Sequence, residues 1–153
     1  MSWHATHEAP CSIARALGVV GERWTLLILR EIFMGSGRFD EIRSALGISR
    51  NVLSARLEGL VRQRVLEKVA YQDRPVRFEY RLTGKGRDLY PVLLSLLRWG
   101  DRWLNAGDSP PLTLIHRGCG KAIHGELVCD HCGEPLEPAN TRARLRADLL
   151  TRC

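Results

Sequence analysis

No apolar run in the 153-residue chain approaches the roughly eighteen residues that a membrane-spanning helix needs. The opening stretch, MSWHATHEAPCSIARALGVVGERW, has no basic start followed by a long apolar segment. No secretory signal is therefore expected, and the cytoplasm is the default compartment. The phosphate- and dinucleotide-binding patterns GxxxxGK(S/T) and GxGxxG are absent, as is the HExxH of zinc peptidases. Asp40, Glu41 and Asp130 do not combine with a histidine into an evident acid–base set, which argues against an enzyme. There are no internal repeats. The five cysteines (Cys11, Cys119, Cys129, Cys132 and Cys153) are odd in number and three lie close together. In a cytosolic chain that pattern is a poor disulfide framework and points to metal.

What is present is a soluble composition, 44% hydrophobic and 26% charged. The length suits one domain with a small appendage. The formal net charge is +6, and its location is informative. Between Gly47 and Arg87 stand ten basic residues and four acidic ones, while the rest of the chain carries thirteen of each. The whole excess lies in one segment. Such a segment suits a polyanionic partner, although a solvated basic face that binds nothing has the same composition.

Apolar spacing predicts a first helix from about Ser12 to Val19, with Ile13, Leu17 and Val20 inward, broken at Gly21. The segment ERWTLLILREIFM is nearly apolar all round in its middle and reads as the central core helix. RFDEIRSAL gives a short third helix. Gly47 suits the left-handed end of that helix, and Ser49 suits the N-cap of a fourth running to about Gln63. Leu53, Leu57, Leu60 and Val61 form its inner stripe, with Asn51, Ala55, Glu58 and Arg62 opposite. VLEKVAYQ, the turn DRP and the alternating VRFEYRL make a half-buried hairpin with a basic tip. Thr83 can cap the next helix, and Pro91 demands a helix start or kink near it.

The expected class is mainly α with a small β-hairpin: a winged helix–turn–helix domain over 1–106, a linker at 107–111, a zinc-ribbon-like module at 112–138 and a tail at 139–153. His4 and His7 fall in a stretch read as a mobile tail. A helix–turn–helix followed by a basic hairpin explains why a core-docked helix carries arginines. Its outer face is left to enter a DNA major groove, which is wide enough to admit a helix. Ser49, Asn51 and Ser54 are short enough to approach base edges, while Arg50, Arg56 and Arg62 reach phosphates or guanines. Arg74 and Arg77 suit backbone or minor-groove contacts from the wing, and Arg38 joins the same set.

Over Cys11 to Trp103 the sequence resembles the HxlR family of bacterial winged helix–turn–helix transcription regulators. The blocks that carry the resemblance are the cysteine opening the first helix, ERWTLLILRE, GRFDEI, GISRNVLSARLEGL, RPVRFEYRLTGKGRDLYPVL and LRWGDRW, in that order. The resemblance implies a homodimeric DNA-binding regulator, a repressor or dual regulator, with its first and last helices at the interface. Leu89, Leu93, Leu96, Leu97, Trp99 and Trp103 fit that interface, although a monomer could use them internally. Two recognition helices would read a roughly palindromic site. The resemblance also implies that Cys11 is a candidate sensor of oxidants or electrophiles, since that position serves some members so. A helix N-terminus and Arg15 one turn on favour its thiolate. A buried, inert thiol is the competing reading. A small-molecule effector between the helices is also open.

Beyond GDSPPL the helical periodicity stops. The pattern H-x2-C-x9-C-x2-C, His116, Cys119, Cys129 and Cys132, places two ligands on each of two tight turns with glycine after the second. Three thiolates and an imidazole suit Zn2+ in a structural, closed site. His124 and His131 are less well placed. A protein-interaction adaptor built from the winged helix and zinc ribbon is the alternative to DNA reading.

Overall fold

The computed structural model describes residues 11–105, 107 and 109–144. His4, His7 and the end of the tail lie outside the described residues. The chain divides into two compact units, Met1–Leu93 and Leu94–Cys153. No helix among the described residues is long and apolar enough to cross a membrane.

The first unit begins with α1 (Ser12–Val20), which ends where the Gly21 N–H donates to the Leu17 carbonyl at 2.8 Å. Next comes α2 (Thr25–Phe33), the central core helix, with Ile28 and Leu29 wholly buried. The helix–turn–helix is α3 (Phe39–Leu46) followed by α4 (Arg50–Arg62). Between them Gly47 takes φ +60°, a conformation that glycine adopts at little cost, and Ser49 Oγ accepts the Val52 N–H at 3.4 Å. On α4, Leu53, Leu57 and Leu60 are buried, while Asn51, Ala55, Glu58 and Arg62 are exposed. The expected inner and outer faces are both present.

β1 (Leu66–Asp73) and β2 (Val76–Leu82) pair antiparallel, from Leu66 opposite Leu82 to Asp73 opposite Val76, with a bulge at Tyr71. The core gathers Ile28, Leu29, Ile42, Leu53, Leu57, Val65 and Leu66, all fully buried. Truncating one of these leucines or isoleucines to alanine costs about 2–5 kcal/mol. Thr83 caps the short α5 (Gly84–Arg87), and α6 (Tyr90–Leu104) starts one residue before Pro91, where proline is tolerated.

Two sequence expectations fail here. Ile13 and Leu17 are not inward: they are 72% and 43% exposed, and only Val20 of the three is buried. Periodicity identifies an apolar face but not what covers it. The far half of β2 is not half-buried either, because Val76, Arg77 and Phe78 all lie exposed where the hairpin projects beyond the body.

The second unit opens with the greater part of α6 and continues into a short pairing of β3 (Leu114–Ile115) with β4 (Ala122–Ile123). Within it, the exposed side chains of Arg98 and Glu126 pair at 3.4 Å. None of its described hydrophobic residues is fully buried.

Candidate nucleic-acid interface

The N-terminal ends of α3 and α4 and the wing enclose an open groove of about 570 Å³. Arg38, Phe39 and Arg50 line one side, and Tyr71, Arg77 and Phe78 the other. Main-chain atoms tie the wing to the start of α3. The Tyr80 N–H donates to the Gly37 carbonyl at 2.8 Å, and the main chains of Arg38 and Glu79 form an isolated antiparallel β-bridge. A Cβ on Gly37 would stand 2.9 Å from the Tyr80 carbonyl oxygen, so this approach requires a residue without one. Tyr80 itself is partly buried. Burial, and after it the carboxylate of Glu58, raises its phenol pKa above the ordinary 10.0.

Each predicted contact residue has a definite place. Ser49, Arg50, Asn51 and Arg62 are exposed on α4 or its cap, and Ser54 is half-buried. Arg50 stands 5.3 Å above the Phe39 ring and 3.8 Å from Asp40. Arg56 is drawn to Glu22 at 3.4 Å. Arg38 covers the Tyr71 ring at 4.4 Å and faces Glu41 at 3.8 Å. Arg74 and Arg77 are exposed at the wing tip. The groove therefore brings Arg38, Arg50 and Arg77 together with Asp40 and Glu41, whereas Arg56 lies outside it, paired with Glu22 in the segment before α2.

The sequence count overstates the free positive charge. Lys85 donates to the Gln63 carbonyl at 2.9 Å and Arg87 to that of Leu82 at 2.9 Å, so both hold local backbone. Arg81 pairs with Glu79 at 2.6 Å. Conversely, sequence reasoning missed Tyr71 and the Lys68–Phe78 contact at 4.3 Å, which add aromatic surface beside the basic groups. The interleaving of aromatics with arginines in AYQDRPVRFEYR was the available signal.

Cys11 is an exposed free thiol at the N-cap of α1. Arg15 donates its guanidinium to Ser12 Oγ at 3.1 Å. In the C-terminal unit His116 Nδ1 and Cys119 Sγ lie 3.3 Å apart. The backbone N–H groups of His131 and Cys132, with the Cys132 side chain, hold the Cys129 thiol below its ordinary range. The four predicted ligands thus form two pairs. Among the described residues no three His, Cys, Asp or Glu side chains stand together as a metal-holding group.

A helix pair with an outward basic second helix, flanked by a two-stranded wing, defines a winged helix–turn–helix protein. The family model described as HxlR-like helix-turn-helix matches residues 19–108, and the chain belongs to that family of transcriptional regulators. An uncharacterized HTH-type transcriptional regulator of Mycobacterium tuberculosis is 47% identical over 129 residues, 84% of this chain and 82% of that protein. The crystal structure of PA1607, a transcription-factor candidate, is 36% identical with a TM-score of 0.83, covering 92% of this chain and 98% of that one. The redox regulator HypR in its oxidized form is 29% identical with a TM-score of 0.56, covering 60% of this chain and 96% of that one.

Proposed function

We propose that the chain is a homodimeric regulator that reads an inverted-repeat operator in double-stranded DNA, placing α4 in the major groove and the wing beside it. The observation that carries this reading is the groove between α4 and the wing, where Arg38, Arg50 and Arg77 converge at the edge of the exposed face of α4. Ser49, Asn51 and Ser54 supply short polar groups for base edges. Arg62 and Arg74 extend the positive surface along both elements, and Arg56 joins them if DNA competes with Glu22. Repression by blocking transcription from the bound site is the proposed outcome, and the cytoplasm the proposed compartment. Family membership favours this over the adaptor reading.

Two helices support the dimer. α6 has no fully buried residue although it carries five leucines and two tryptophans; Leu96, Trp99 and Trp103 are 48%, 57% and 63% exposed. α1 exposes Ile13 and Leu17. Apolar faces of this kind mark interaction surfaces. Cys11 at the exposed end of α1 is the proposed sensor, since adding a bulky or charged group there would perturb the packing of α1. In the C-terminal unit a cleft of about 400 Å³, floored by Leu94, Leu97 and Ile123, offers a place for a small apolar effector.

Selection of random double-stranded DNA on the purified protein at near-physiological salt tests the reading. The expected product is an inverted repeat with half-site centres about one helical turn, roughly 34–36 Å, apart. Failure of a folded, dimeric sample to enrich any sequence, with and without oxidation of Cys11, would overturn it.

A further inference from the structure

Two stretches of the C-terminal unit repeat one backbone design. In the first, the Gly120 N–H donates to the His116 carbonyl at 2.8 Å and the His116 N–H to the Lys121 carbonyl at 2.9 Å. In the second, the Gly133 N–H donates to the Cys129 carbonyl at 2.8 Å and the Cys129 N–H to the Glu134 carbonyl at 2.8 Å. The donor-to-acceptor spacing is the same in both. The closing glycines also match, at φ +70° and +74°, a region that side-chain-bearing residues rarely adopt. Each turn ends a short antiparallel pairing. β3 and β4 carry the first. The second is carried by the Val128–Pro135 bridge, with the Leu136 N–H on the Leu127 carbonyl at 2.9 Å. His116 and Cys129 thereby occupy equivalent positions, as do Cys119 and Cys132.

Each turn carries two side chains that ligate soft or borderline metals. The 3.3 Å between His116 Nδ1 and Cys119 Sγ is close to the edge of about 3.6 Å that a tetrahedron has when zinc sits about 2.3 Å from sulfur and 2.0–2.1 Å from nitrogen. All three cysteines are free rather than disulfide-bonded. A second, independent observation is the missing core. Among the described residues every fully buried hydrophobic side chain lies at or before Leu66, while Ile115, Leu127, Val128 and Leu136 are 47–57% exposed. A segment this short and this open lacks the apolar burial to hold two turns in place and needs a staple.

We propose that His116, Cys119, Cys129 and Cys132 bind one Zn2+ per chain in a closed, structural, tetrahedral site. The two donor pairs are preformed by their turns, and the ion draws the pairs together. Binding is thus coupled to ordering of the module, and the three thiols release their protons to solvent as they ligate. No position is left open for a substrate.

The test uses the full-length protein, purified reduced, stripped by a chelator and titrated with Co2+ and then Zn2+. Expected are one equivalent of metal per chain, the visible bands of tetrahedral cobalt with thiolate charge transfer sized for three sulfurs, and displacement by zinc. Cys119→Ser or Cys132→Ser is expected to weaken binding roughly a hundredfold or more. His116→Ala should alter the cobalt spectrum, whereas His124→Ala and His131→Ala should not. Absence of stoichiometric uptake by the unaltered chain overturns the proposal, and that measurement does not depend on any variant folding. So does a two-thiolate spectrum insensitive to His116→Ala and Cys119→Ser, which would assign the metal to Cys129 and Cys132 alone. A Cys129–Cys132 disulfide in protein isolated with its thiols trapped would overturn it as well.

Discussion

Asp40 on the first helix of the pair and Arg50 on the second face each other across the intervening turn, Oδ1 to Nη2 at 3.8 Å. Both are well exposed, at 79% and 64% of their side-chain surface, so the pair adds little to stability. It does place a negative charge beside a candidate DNA contact. Asp40→Ala is expected to tighten DNA binding by about three- to tenfold at low salt and to loosen specificity, because the added affinity is electrostatic. Arg50→Ala should change the preferred site. Titration of operator and scrambled duplexes by fluorescence anisotropy separates the two effects; equal affinities for wild type and Asp40→Ala would remove this pair from the interface.

Arg74 and Arg77 project from the wing tip, so Arg74→Ala and Arg77→Ala are expected to weaken binding evenly across sequences. Removing one phosphate-binding side chain should lower the slope of log affinity against log salt by about one unit. A selective loss on one operator variant would instead mark base reading by the wing.

Trp99→Glu on the exposed face of α6 is expected to shift the protein to monomer, with little change in the thermal stability of the first unit. Sedimentation velocity across a concentration series reads the outcome. A wild-type chain that stays monomeric would remove the dimer from the proposal.

Gly37→Ala forces a Cβ to within 2.9 Å of the Tyr80 carbonyl oxygen. Overpacking of this kind typically costs about 1–3 kcal/mol, and thermal unfolding should report it. Operator binding should fall further than the stability loss alone implies, because the wing loses its register against α3.

Tyr80 supplies a pH dependence. Its pKa is raised in the fold by burial and then by Glu58, so the unfolded chain ionises first as pH rises. The stabilising contribution is therefore complete below the ordinary value of 10.0 and fades as pH climbs through the higher folded value. Tyr80→Phe should flatten the decline of melting temperature on the alkaline side of that point. An unchanged alkaline slope would show that another group governs it.

Much of the fold is legible in the residues. The stripe Leu53, Leu57 and Leu60, with Gly47 and Ser49 as punctuation, locates α4 to within a residue, since cap chemistry and periodicity agree there. The DRP turn between two β-rich runs locates the wing in the same way. What escapes is whatever depends on partners remote in sequence. Lys85 and Arg87 count toward a basic segment, yet their charges lie on carbonyls of Gln63 and Leu82. Ile13 and Leu17 read as inward because periodicity cannot distinguish a core from a face left open. The aromatic–arginine interleaving around Tyr71 is legible, but its place beneath Arg38 is not, because that depends on how the wing folds back toward α3. The metal pattern is legible as four residues, while the structure resolves it into two matching turns.

The hydrogen bond between the main chains of Gly37 and Tyr80 uses no side chain of the residues proposed to face DNA. Asn51 and the wing-tip residues Arg74 and Arg77 can be exchanged without disturbing the frame that aims them, and so, to first order, can Ser54. A gene duplicate of such a chain can drift toward a new operator through substitutions at a handful of outward positions, each of them close to neutral for folding. The fold separates the residues proposed to address DNA from the main-chain atoms that join the wing to α3.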